Sequence, residues 1–269
     1  MNAPLLPTLL LHLALLFFWC RIWTEDDRAY FFNPLVLGPM RVVDRVVETL
    51  RTPLPFLPRR TLAGLALLGA LALKALLWPA SVIMFVHENV PNVVFTVPYP
   101  IQLLNELTLF LILTFQVAAI HAVLRMSSRR RMDRAAQVVE LVSRPVGWIQ
   151  PVWLQLPIAF LGIGVCILLT TFVFSLPYSS ALYLSVLSCV NILHVWSRCV
   201  LIAILLSWLG LLMPRSAVAL HAREFTAVLM GRLSGLLVVG MMDMTPLVVF
   251  IAVDYLHGQL LQWLAIVLP

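Results

Sequence analysis

Charge is what this sequence has least of. Only 11% of its 269 residues are Asp, Glu, Lys or Arg, against about 25% in an average soluble domain. Hydrophobic residues make up 62%, a balance that excludes an ordinary soluble domain and points to an integral membrane protein. Lysine is nearly absent. Lys74 is the only one, and the net charge of +6 rests on arginine, whose placement matters more than its total. That charge does not suggest nucleic acid. Cysteine is scarce as well. Cys20, Cys166, Cys189 and Cys199 all lie in apolar runs, with no CxxC and no CxxCH. Metal, redox and covalent haem chemistry therefore have no support, and the thiols read as small buried hydrophobes. Also missing are a Walker A loop, a GxSxG elbow and an HExxH helix. His87, His121, His194, His221 and His257 are scattered without metal-ligand spacing. No catalytic residues, no metal and no cofactor are expected, so the chain reads as a non-enzyme.

Long apolar runs are what the sequence has in abundance. Six are long enough to span a hydrocarbon core of about 30 Å. They cover residues 5–23, 61–86, 101–126, 156–174, 181–213 and 245–268. The first is not a signal peptide by pattern, since no Lys or Arg precedes it and no small-residue cleavage site follows.

Three amphipathic segments lie between these runs, at 39–52, 132–144 and 215–233. In the first, Val42, Val43, Val46, Val47 and Leu50 alternate with Arg41, Asp44, Arg45, Glu48 and Arg51 at helical period, and Pro39 suits a first turn. Such a segment is too short to span and too charged to sink. It either lies in the interface plane, valines in the acyl boundary and arginines near phosphates, or packs on other protein. The second segment ends at Arg144-Pro145. The third keeps Val218, Ala222, Phe225 and Leu229 on one face.

All Lys and Arg except Lys74 and Arg198 fall in or beside the three connectors that follow the odd-numbered spans. The positive-inside rule places those connectors in the cytoplasm and both chain ends outside. A bacterial inner membrane is the expected location. The order span, amphipathic segment, span recurs three times, giving units 1–86, 101–174 and 181–269. Val42–Pro53 (VVDRVVETLRTP) and Arg134–Pro145 (RAAQVVELVSRP) share a Val-Val-Glu and a terminal proline. Each unit has an even number of spans, so the repeat is parallel, unlike an inverted-repeat transporter. The expected fold is an all-α integral membrane protein with six transmembrane helices, three cytoplasmic-side interfacial helices and a parallel threefold repeat.

At Arg21, Asn33-Pro34, Pro53 and Pro58-Arg59, and again at Asp243, Thr245 and Pro246, the chain resembles the YggT family of small integral membrane proteins. That family's repeat is a span ending in Arg, an Asn-Pro, an amphipathic segment, a proline–arginine turn, then Asp-hydroxyl-Pro opening the next span. The second copy keeps Arg144 and Pro145 but has no Asn-Pro, and the first lacks the Asp before its second span. A third unit exceeds the one or two that members usually carry. The resemblance implies a role in membrane-complex assembly, division-site or nucleoid organisation, or osmotic tolerance, and brings no catalytic residues. On physical grounds, Asp243 is expected to cap the last span and Pro246 to fit its first turn, ahead of a ligand role.

Ionisable residues inside spans are functional candidates by default. Ser188, Asn191, His194 and Arg198 form one stripe on the fifth span. Asp254 on the sixth is the expected partner of Arg198. Lys74 and Glu106 are a second expected pair, with depths about 10 Å apart. Such groups either hold spans together or line an ion path. The expected function is a membrane scaffold. Arg41, Arg45, Arg51, Arg60, Arg129, Arg130, Arg131 and Arg134 would contact anionic lipid headgroups, another membrane complex or a second copy of the chain. The alternative is a channel or transporter subunit using the intramembrane charges.

Overall fold

The computed structural model describes residues 5–24, 34–77, 98–127, 134–173, 178–212, 226, 230, 233, 235–239 and 242–267. They form eight helices: α1 (Leu5–Trp23), α2 (Pro34–Arg51), α3 (Arg59–Leu77), α4 (Tyr99–Ser127), α5 (Arg134–Gly147), α6 (Gln155–Val173), α7 (Tyr178–Leu212) and α8 (Thr245–Val267). A 3-10 turn, Val152–Leu154, precedes α6, and the two-residue strands β1 (Val238–Val239) and β2 (Met242–Asp243) precede α8. Five helical stretches are long and apolar enough to cross a membrane: Arg59–Leu77, Tyr99–Met126, Val152–Val173, Ala181–Leu201 and Thr245–Val267. Helix α1 runs 19 residues, and its side chains are described only in part. This is a helical, membrane-embedded protein.

Several boundaries differ from the sequence expectation. Helix α2 begins at Pro34, five residues before the expected start, so Pro34 takes the first-turn position and Pro39 lies inside the helix. Pro39 removes one backbone hydrogen bond there without ending the helix. Pro145 likewise lies inside α5, which runs on to Gly147 instead of stopping at residue 144. Helix α3 is described to Leu77, and the expected continuation to residue 86 lies outside the described residues. Most of the third amphipathic segment, Asn33 and Arg129–Arg131 lie outside them too.

The chain divides into two compact units, one of residues 1–28 and 37–110, the other of 29–36 and 111–269. In the first, α1 packs along α3. Leu15 and Phe18 of α1, Val43 and Val47 of α2, Leu62, Ala63, Leu67 and Leu71 of α3, and Phe110 make one core. The α3 members recur at helical spacing, while Leu65, Leu68, Leu73, Leu76 and Leu77 are exposed. In a bilayer that exposed arc meets lipid tails as apolar as itself, so it costs nothing. Between α2 and α3 the chain turns at Thr52-Pro53, where proline disfavours helix in the residue before it. The amide of Leu62 bonds back to the carbonyl of Pro58, starting α3.

In the second unit α7 packs against both α6 and α8. Small residues bring helices close: Ala118, Ala119 and Ala159 are buried together with Val146. A Cβ at Gly162 would lie 2.5 Å from the Phe115 ring, so only glycine fits without displacement. Gln155 is buried and its amide donates to the carbonyls of Gly147 (3.1 Å) and Ile149 (2.9 Å), satisfying the end of α5. With 35 residues, α7 is about 52 Å long at 1.5 Å per residue, well beyond a hydrocarbon core.

Candidate functional site

Two arrangements of polar side chains stand out, one on α2 and one between α7 and α8. The α2 arrangement begins with its acidic residues, which tie it to its neighbours. Nε of Arg21, at the end of α1, lies 2.7 Å from Oδ1 of Asp44. Arg21 also donates from Nη1 to the carbonyl of Thr24 at 2.5 Å, and the Thr24 hydroxyl donates to the carbonyl of Cys20. A cation there also complements the negative end of the helix dipole. Nη2 of Arg59, the first residue of α3, lies 2.7 Å from Oε1 of Glu48, which Arg51 approaches at 3.6 Å.

The arginines left over are Arg41 and Arg45. Both are exposed and neither makes an ion pair among the described residues. Met40, Val43 and Val47 are buried, whereas Val42 is 61% and Val46 39% exposed. The helix thus has three faces in angular order: one packed on protein, one bare and apolar, one cationic. Arg51 and Arg60 are also exposed. Arg134 opens α5, and Arg144 sits in it half-buried. Trp148 and Trp153, beyond the end of α5, are each more than 60% exposed, as interfacial aromatics are. Pro53 lies in the turn after α2 and Pro58 immediately before α3.

Between α7 and α8 the polar side chains form a line. Nε2 of His257 donates to Oδ1 of Asn191 at 3.1 Å. The rings of His257 and His194 lie 5.1 Å apart. Nε of Arg198 donates to Nε2 of His194 at 3.3 Å, and Nη2 of Arg198 lies 3.9 Å from Oδ1 of Asp254. The His194 nitrogen that accepts from the guanidinium carries no proton. The ring's proton is therefore on Nδ1, which is buried and has no partner among the described residues. Asp254 and His257 stand nine and twelve residues into α8, about 14 and 18 Å from its start and near the middle of its length. Among the described residues no group of three or more His, Cys, Asp or Glu is placed to hold a metal ion.

Lys74 and Glu106 form an ion pair in the first unit, with side chains only 15% and 8% exposed. The depth gap estimated from sequence counted Lys74 from residue 86. The ion pair itself shows that the two groups come within reach of each other.

Asp243 and Thr245 fasten the hairpin before α8. Asp243 accepts the amide of Thr245 on Oδ1 (3.0 Å) and that of Gly235 on Oδ2 (2.9 Å). The Thr245 hydroxyl accepts the amide of Leu237 at 2.8 Å. Gly235 has φ +79°, a left-handed conformation suited to glycine. Pro246 is buried in the first turn. Around this clasp Leu233, Leu236, Leu237, Val238 and Val239 are exposed.

Sequence reasoning missed two partners. His257 belongs to the α7–α8 line, and its position three residues after Asp254 was the only signal. His121, 1% exposed, lies with Nδ1 2.7 Å from the Ser143 hydroxyl. That hydroxyl also lies 3.1 Å from the carbonyl of Glu140, and Nε2 of His121 is buried with no partner among the described residues. No local pattern announces that contact. Comparison with family models, with curated proteins and with solved structures returns no match.

Proposed function

We propose that this chain is a non-catalytic scaffold of a bacterial inner membrane, held in register with anionic lipid by in-plane basic helices. The observation that carries the reading is the bare flank of α2. Val42 and Val46 stand exposed beside Arg41 and Arg45, while Asp44 and Glu48 are occupied by Arg21 and Arg59. Valines exposed on one flank, and on the next arginines that make no ion pair among the described residues, suit an acyl boundary beneath phosphates. Each arginine near an anionic leaflet contributes about 1 kcal/mol. In this reading the chain has six spans and a parallel threefold repeat, with both ends outside, and its assembly role follows the YggT resemblance. The partner is another membrane complex.

The test is lipid retention. Protein purified in mild detergent and offered phosphatidylglycerol or phosphatidylcholine should retain the anionic lipid preferentially. Arg41→Gln with Arg45→Gln should lose most of that preference, and salt should weaken it. Equal retention of both lipids by the unaltered protein would dismiss the reading.

A second reading is supported by the line from Asn191 to Asp254, which places titratable groups deep in α7 and α8. An ion-translocating subunit would use them. Flux into proteoliposomes that disappears on Arg198→Leu would favour this reading, and flux at the empty-liposome background would remove it.

A further inference from the structure

Among the described residues two ion pairs lie within the spans, and they are treated differently. Lys74 and Glu106 are wrapped in protein, their side chains 15% and 8% exposed. Arg198 and Asp254 are left 50% and 42% exposed. Exposure of that size on the surface of a soluble domain is unremarkable. Midway along a span it faces hydrocarbon, where an uncovered charge is expensive. The pair is also incomplete. Its 3.9 Å separation is outside hydrogen-bond reach, so guanidinium and carboxylate both keep bonding capacity.

The surroundings of Asp254 are shaped for a close neighbour. At 100° per residue, Ile251, Asp254, Tyr255, Gly258 and Gln262 fall within an arc of about 100° on α8. Ile251 and Tyr255 are 58% and 69% exposed, and Gln262 is exposed as well. No atom lies within 4 Å of the point where a Cβ on Gly258 would sit. A bare glycine between exposed polar groups, in a transmembrane helix, is the composition of a surface on which a second helix lies close and is hydrogen-bonded.

We propose that this α7–α8 face is an interface between two copies of the chain, in which Arg198 of each copy pairs with Asp254 of the other. The patch holds one cation and one anion, so it is complementary to itself, as a two-fold interface requires. Arg198 and Asp254 touch within one copy and so lie at one depth. A two-fold rotation about the membrane normal preserves depth and brings each residue opposite its complement. A foreign partner would have to supply its own charges at that depth, whereas a second copy supplies them by symmetry. The proposal does not depend on the lipid-binding role of α2.

The experiment measures association between copies labelled with two fluorophores, diluted in phosphatidylcholine–phosphatidylglycerol liposomes. The unaltered protein is expected to form mixed pairs. Arg198→Asp alone and Asp254→Arg alone should each lower association by about tenfold or more, the factor that corresponds to 1.4 kcal/mol. Mixing the two variants should restore it, because the mixed pair has opposite charges at both contacts. A variant that fails to fold is not rescued by mixing, so restoration separates repulsion from misfolding. Gly258→Leu should weaken association with all charges in place. An unaltered protein that stays monomeric overturns the proposal. So does full association of either charge variant alone, failure of the mixture to recover, or full association of the Gly258→Leu variant. Retention of a different membrane protein on this face, with no self-association, overturns it as well.

Discussion

Arg21 and Asp44 stand 2.7 Å apart, joining the end of the first helix to the middle of α2. Arg21 is 6% exposed and Asp44 about a third, so the arginine depends on the contact more than the aspartate does. Removing a partner from a buried charge costs about 3–5 kcal/mol, and the exposure of Asp44 lowers that figure. Asp44→Asn is expected to cost about 2 kcal/mol in detergent unfolding. Arg21→Met combined with Asp44→Leu should recover most of the loss.

For the shielded pair in the first unit the loss should be larger. Glu106→Gln leaves the Lys74 ammonium among apolar side chains and is expected to destabilise by about 3 kcal/mol. The double variant Lys74→Met with Glu106→Leu should come within about 1 kcal/mol of the unaltered protein, since a well-packed apolar pair replaces a buried ion pair at little cost. A double-mutant cycle measured by unfolding in detergent reads both values.

The clasp before α8 gives a local signature. Asp243→Ala removes acceptors from the amides of Thr245 and Gly235, at about 1–2 kcal/mol. Hydrogen exchange should speed at Gly235 and Thr245 and stay unchanged at Leu67 and Leu71, which belong to the other unit. Thr245→Val should release the Leu237 amide alone.

At Gly162 two effects oppose each other. Alanine in a helix gains about 1 kcal/mol over glycine. A methyl 2.5 Å from the Phe115 ring forces a shift costing about 1–3 kcal/mol. Gly162→Ala should therefore lower stability slightly, and Gly162→Ala with Phe115→Leu should raise it. Thermal denaturation in detergent checks the sign.

What was legible in the sequence follows from the range of each interaction. Asp-x-Thr-Pro contacts its own neighbourhood, so the clasp at Asp243 could be expected from chemistry within ten residues. Lys74 and Glu106 were legible as charges needing partners in an apolar run, and the contact itself is set by how the two helices pack, which counting along the chain does not give. Pro39 and Pro145 misled, because proline disfavours helix interiors by only one bond and a clash, which tertiary packing of α2 and α5 overrides. The three faces of α2 were hidden because period alone groups Val42 and Val46 with Val43 and Val47. Only packing separates them. His121 and Ser143 meet across two helices and leave no trace in spacing.

The hairpin at residues 235–243 has a mechanical consequence. Its four exposed apolar side chains, knotted to the first residue of α8 by Asp243 and Thr245, act as a float fixed to the end of a rod. In the proposed membrane placement such a float resists motion of the rod along the membrane normal, since lifting it would drag leucines and valines into water at about 25 cal/mol for each Å² uncovered. Asp254 therefore cannot lower its electrostatic energy by sliding toward the headgroups. The clasp holds that carboxylate at depth, where only another protein group can meet it.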